Sequence, residues 1–218
     1  MKRKAEYGPY AGSYGFKKRK TSKKKIAKSL RAKVNQLIAG QETKFFDTQA
    51  LAGATTALTA TVIPLSSIPQ GDDATTRDGR KVSYKSLNMR FLVTSAAGAG
   101  ANYRVLVIYD RQTNNTNIGG TDIFEDQANY LSPVANKNSE RMVVLYDSFA
   151  GLGKGLTFHS NVATTVAPGH CFVNLNGYTA EYVSGTTGTP NSGGLSLVFI
   201  TQSVMTINYW ARLKFTDS

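Results

Sequence analysis

A chain of 218 residues with 41% hydrophobic residues can bury a core of its own, and with one cysteine, Cys171, it has no intrachain disulfide. Its formal charge of +12 is unevenly placed: residues 1–35 carry 13 Lys and Arg against one acid, Glu6, while residues 36–218 carry 13 of each sign. The excess therefore belongs to one terminal block, which excludes a domain that is basic all over its folded surface. No secretory signal or membrane span is expected, because the charged start lacks an apolar run and Gln, Thr, Gly and Pro interrupt the uncharged stretches at 48–71 and 182–211.

Residues 1–21 are low in complexity. Lys2, Arg3 and Lys4 open the chain, Tyr7, Tyr10, Tyr14 and Phe16 follow, and Lys17, Lys18, Arg19 and Lys20 close the stretch. Too little apolar surface is present to offset chain entropy, so disorder is expected there. In the next segment Ile26, Leu30, Val34, Leu37 and Ile38 recur at helical spacing, with Ser22 placed as an N-cap and Gly40 as a stop. Lys23, Lys24, Lys25, Lys28, Arg31 and Lys33 occupy the rest of that surface, which predicts a basic amphipathic helix over about 22–39. An arm of residues 1–40 thus precedes a body of residues 41–218.

The body reads as β structure, rich in Val, Ile, Thr, Tyr and Phe with Gly, Asn, Asp and Pro between the runs. Strands are expected near 43–48, 55–63, 81–95, 103–109, 141–149, 156–164 and 170–177, then around Leu195, Leu197 and Phe199, and over 205–215, nine runs for a sandwich of about eight strands. The apolar phase slips from Val82 and Tyr84 to Leu87, Met89, Phe91 and Val93, which predicts a β-bulge near Lys85–Ser86. The run Tyr103–Tyr109 is nearly continuous in apolar residues, as in a central strand covered on both faces. In 205–215, Ile207, Tyr209, Ala211, Leu213 and Phe215 alternate with Thr206, Asn208, Trp210, Arg212 and Lys214, giving one buried and one polar face. Loops fall at 64–80, 111–121 and 183–194. Such a pattern fits a jelly roll, another sandwich or a closed barrel.

The order of segments narrows that choice. A Lys/Arg arm leads into a basic helix, then ETKFFDT at 42–48, IPQGDDATTRDGRKVSYKSLNMRF at 68–91, YRVLVIYDRQTN at 103–114 and WARLKFTD at 210–217. Over nearly its full length the chain resembles the single jelly-roll coat proteins of small icosahedral viruses, above all those of the satellite tobacco necrosis virus type and of circular, Rep-encoding single-stranded DNA viruses. The resemblance implies an all-β, eight-stranded antiparallel jelly-roll sandwich that assembles with copies of itself into a T=1 shell of about sixty subunits, with the arm inside. It further implies a virion protein that packages a single-stranded genome, more readily DNA than RNA.

The residue types in the arm suit that task. Lys and Arg pair with phosphates and release their counterions, and the interleaved Tyr and Phe rings can stack on unpaired bases. The nucleic-acid-binding residues are therefore expected to be the thirteen arm cations named above with Tyr7, Tyr10, Tyr14 and Phe16. The clusters at 2–4 and 17–20 also fit basic nuclear-localisation patterns, which would engage host import receptors and place the protein in a host nucleus during assembly.

No catalysis and no cofactor are expected. Gly151-Leu-Gly-Lys154-Gly looks like a phosphate loop, but Ser148 stands at the first glycine position and Gly155 follows the lysine. His159 and His170 are the only histidines, too few with one cysteine for a zinc site. His170 and Cys171 are adjacent, so on a strand they point to opposite faces. Asn114-Asn115-Thr116 is a glycosylation sequon that needs a secretory route. Asp72 and Asp73 are the remaining metal candidates, because related shells hold calcium at subunit contacts; two neighbouring carboxylates fall short of a calcium shell, and they equally suit solvated loop acids or partners of Arg77 and Arg80. The rival reading is a cellular nucleic-acid-binding protein with a β-sandwich body.

Overall fold

Alternation of apolar and polar residues sorts the body into nine antiparallel strands, seen in a computed structural model that describes Leu30 and residues 42–95, 102–151, 165–183 and 188–217. The strands are β1 (Lys44–Ala54), β2 (Thr61–Pro64), β3 (Lys81–Ser95), β4 (Asn102–Asp110), β5 (Met142–Gly151), β6 (Thr165–Asn174), β7 (Thr179–Glu181), β8 (Gly194–Thr201) and β9 (Met205–Asp217). A one-turn helix, α1 (Gly120–Ile123), lies between β4 and β5. The expected disorder of 1–21, the strand at 156–164 and, apart from Leu30, the helix at 22–39 lie outside the described residues.

The chain doubles back on itself. β1 pairs with β9, β2 with β8, β3 with β6 and β4 with β5, all antiparallel. These four ribbons wrap so that alternate ones fall in alternate sheets: β1-β9-β3-β6 in one, with β7 added on the first residues of β3, and β2-β8-β4-β5 in the other. That order is jelly-roll-like, and it selects the sandwich among the architectures that the strand pattern allowed.

The inward faces build the core. Phe91 from β3 meets Tyr103 of β4 and Phe199 of β8 edge-on, with ring centroids 6.5 and 6.0 Å apart, and Phe199 also approaches Tyr209 of β9 at 6.5 Å. These contacts tie the two sheets together with geometry that aromatic quadrupoles favour. Gly169 on β6 sits opposite Phe91, whose ring fills the place of a side chain there. The register of β3 against β9 slips between Tyr84 and Ser86, at the predicted bulge.

β4 is buried along nearly its whole length, as its apolar run predicts, and β8 is buried throughout, not only at Leu195, Leu197 and Phe199. The reason is a second apolar cluster on the outside of this sheet. Ile118, Ile123, Phe124, Tyr130 and Val134, from the long connection between β4 and β5, cover Leu106, Ile108, Val198 and Ile200.

Three strand limits differ from expectation. β1 runs on to Ala54 through a bulge between Ala50 and Gly53, while the strand expected at 55–63 shortens to β2 because Leu58 takes a positive φ of 52° in the intervening turn. The strand expected at 170–177 is shifted back to 165–174, since Asn176 and Gly177 turn the chain into β7. At the start of β1, buried Lys44 pairs with Asp78 at 2.5 Å and Asp217 at 3.3 Å, joining the first strand to the loop before β3 and to the end of β9. That loop is anchored by buried Arg77, which donates from Nε to the Ile68 carbonyl and from Nη1 to the Gly79 carbonyl, and lies 4.2 Å over the Tyr182 ring.

Candidate nucleic-acid interface

The arm residues expected to bind nucleic acid lie outside the described residues. In the sequence they precede β1, an edge strand of the β1-β9-β3-β6 sheet. Among the described residues, the outer face of that sheet has no covering segment comparable to the one on the other sheet, and its composition is distinctive.

Strand register fixes its layout. Side chains of one parity on β3, β6 and β9 fill the core: Leu87, Met89 and Phe91; Cys171 and Val173; Tyr209, Ala211 and Leu213. The other parity points outward in rows across the sheet. One row is Phe45, Lys214, Ser86 and Asn174; the next is Asp47, Arg212, Asn88 and Phe172; the third is Gln49, Trp210, Arg90 and His170. Phe172 is 62% and Trp210 53% exposed. A shallow depression of about 410 Å3 runs between them, lined by Ser86, Asn88, Arg90, Phe172, Trp210, Arg212 and Lys214.

The electrostatics of these three rows follow from their one acid. Asp47 accepts from Nε and Nη2 of Arg212 at 2.8 and 2.6 Å, and this fork holds its carboxyl below the usual carboxylate range against the opposing effect of burial. The same Arg212 guanidinium lies 4.6 Å over Phe45 and 5.8 Å over Trp210. Arg90 and Lys214 form no ion pair among the described residues, so the face keeps two uncompensated cations. His170 Nε2 lies 3.1 Å from Asn88 Oδ1, within hydrogen-bond reach.

Sequence reading missed this set. It placed Trp210, Arg212 and Lys214 together on a polar face without asking why a tryptophan should stand in water. The partners on β3 and β6 are joined to them only by register across more than a hundred positions of sequence. An exposed Trp beside Arg and Lys was the available signal.

The residues weighed for other chemistry fall apart. Cys171 is buried on the core side, where burial pushes its thiol up to about 11, and His170 is exposed on the other face, so the two form no nucleophile–base pair. His159 and residues 152–155 of the glycine-rich turn lie outside the described residues. Asp72 and Asp73 sit exposed in a turn closed by Thr76, whose hydroxyl accepts from the Asp73 N–H at 2.8 Å. Among the described residues no three His, Cys, Asp or Glu side chains converge on one point. Arg77, considered as a partner for these acids, turns its guanidinium inward to backbone carbonyls. Asn114 and Asn115 both take positive φ, 49° and 59°, at an exposed turn. Among the described residues no helix is long and apolar enough to cross a membrane.

No known protein family matches the chain, and neither does any curated protein. Among solved structures, a chain in the structure of the infectious bursal disease virus Gx strain is similar at 11% identity and a TM-score of 0.27. That similarity covers 80% of this chain and 32% of the other, so the present chain spans about a third of its length. The fold assignment rests on the strand order itself.

Proposed function

We propose that this chain is a viral coat protein that assembles with its own copies into a small icosahedral shell and packages a single-stranded genome through its N-terminal arm. The observation that carries this reading is the division of charge: all of the +12 excess lies in residues 1–35, ahead of a neutral jelly-roll-like body. A neutral body suits a subunit that packs against itself, because self-repulsion is small. Its surface offers material for such contacts, with Leu51, Leu131, Phe149, Val183 and Val204 between 49% and 84% exposed.

In about sixty copies the arms would carry on the order of 700 positive charges, against roughly 2,000 phosphates in a genome of about two kilobases, with mobile cations neutralising the remainder. Such packaging is electrostatic and needs no base readout. The clusters at 2–4 and 17–20 further suit recognition by nuclear import receptors, which fits a DNA genome assembled in a nucleus. The protein in this reading is structural and catalyses nothing.

Packaging has a direct test. Nucleic acid that co-purifies with the full-length protein should survive nuclease while particles are intact and be digested once they are dissociated by salt. Digestion at the same rate in both states would show binding without enclosure and would overturn the shell reading.

A further inference from the structure

We infer that the outer face of the β1-β9-β3-β6 sheet is a second nucleic-acid site, on which unpaired bases of a single strand stack on Trp210 and Phe172 while Arg90 and Lys214 hold its phosphates. The inference deepens the proposed function and rests on the reading of the arm as a nucleic-acid-binding segment.

Two observations converge. The two sheets of the sandwich treat their outer faces differently: the connection from β4 to β5 buries the face of β8 and β4, whereas the face of β9, β3 and β6 keeps a half-exposed tryptophan and a phenylalanine more exposed still. Leaving two large rings in water forgoes burial that a sandwich normally makes for itself. The charge around the rings is positive, since Asp47 is already neutralised by Arg212 and leaves Arg90 and Lys214 unpaired. A partner protein with an apolar surface would leave both cations desolvated and unmatched, whereas a phosphate backbone matches them.

Spacing suits stacked bases. Trp210 and Phe172 lie on strands flanking β3 and one row apart, which places their Cα atoms roughly 12 Å from each other given ordinary strand separation and rise. Arg90 stands beside Trp210 in the same row, positioned for a phosphate between two stacked bases. A sheet face carrying aromatic rings beside cations favours unpaired bases over duplex, because stacking needs an exposed base face, and it is tolerant of sequence because every base has one.

Trp210 is the only tryptophan, so its emission reports on this face alone. The full-length chain is titrated with a labelled oligothymidylate, reading tryptophan emission and label anisotropy together. Emission should fall by more than half at saturation, and a duplex of equal length should bind while leaving emission nearly unchanged. Phe172→Ala and Arg90→Ala should each weaken oligothymidylate binding about tenfold, with Arg90→Lys recovering most of the loss and the circular dichroism of all three unaltered. Oligothymidylate that binds by anisotropy with constant emission overturns the stacking site and leaves the arm reading standing; absence of binding overturns both. An emission shift that follows protein concentration without nucleic acid would assign the face to a second copy of the chain and overturn the inference as well.

Discussion

Replacing Lys17, Lys18, Arg19 and Lys20 by serine is expected to reduce the salt dependence of single-strand binding by about 3 in the slope of log K against log salt, at about 0.7 per cation lost. At physiological salt the same change weakens binding by about a hundredfold. Deleting residues 1–35 removes all 13 arm cations, so nucleic acid should no longer co-purify, the two cations of the sheet face being too few to retain it through purification. Its β-type circular dichroism should persist, because the core residues and the Lys44 ion pairs all lie after the cut. Binding constants measured over a series of salt concentrations check the first result, and the absorbance ratio at 260 and 280 nm checks the second. An unchanged slope would show that the body, not the arm, meets the phosphates.

The largest loss of stability is expected from Phe199→Ala. The ring is fully buried and touches Phe91 and Tyr209 of the opposite sheet, so truncation opens a cavity where the sheets are held together. Removing such a ring costs about 3–5 kcal/mol. A domain of this size should then melt about 6–20 °C lower. Phe172→Ala deletes the same atoms from the exposed face and should change stability by no more than about 0.5 kcal/mol. Chemical denaturation of the unassembled protein, read by circular dichroism, compares the two. Equal effects would contradict the assignment of Phe199 to the inter-sheet core and Phe172 to the surface.

These contrasts also mark how far the fold was legible in sequence. β9 and the bulge in β3 were readable because strand alternation is local: a phase slip between Tyr84 and Leu87 needs only neighbouring residues to be seen. The two-sided burial of β4 was readable from its unbroken apolar run. The second buried face of β8 was not, because Val198 and Ile200 are covered by residues 118–134, which are distant in sequence. The length of β1 was missed because Ala50 and Gly53 straddle a bulge, and β7 is three residues in a stretch of turns. Strand order lay beyond periodicity altogether, since β1 pairs with β9 across the whole body and a one-dimensional pattern carries no register.

The same limit applies to function. Clustered charge is a local property, and the arm was legible as soon as the cations were counted. The sheet face was not, because Arg90, Phe172 and Trp210 come from three strands and meet only through pairing. Trp210 was visible as an oddity on a polar face, but its companions were not.

The central claim, that the chain closes into a shell, is tested most directly by negative-stain microscopy of the purified full-length protein together with its 260/280 nm absorbance ratio. Uniform closed particles of roughly 20 nm, the size for about sixty domains of this kind, with strong absorbance at 260 nm are expected. A protein that stays monomeric across a range of salt and concentration would contradict closure and favour a cellular nucleic-acid-binding protein built on the same sandwich.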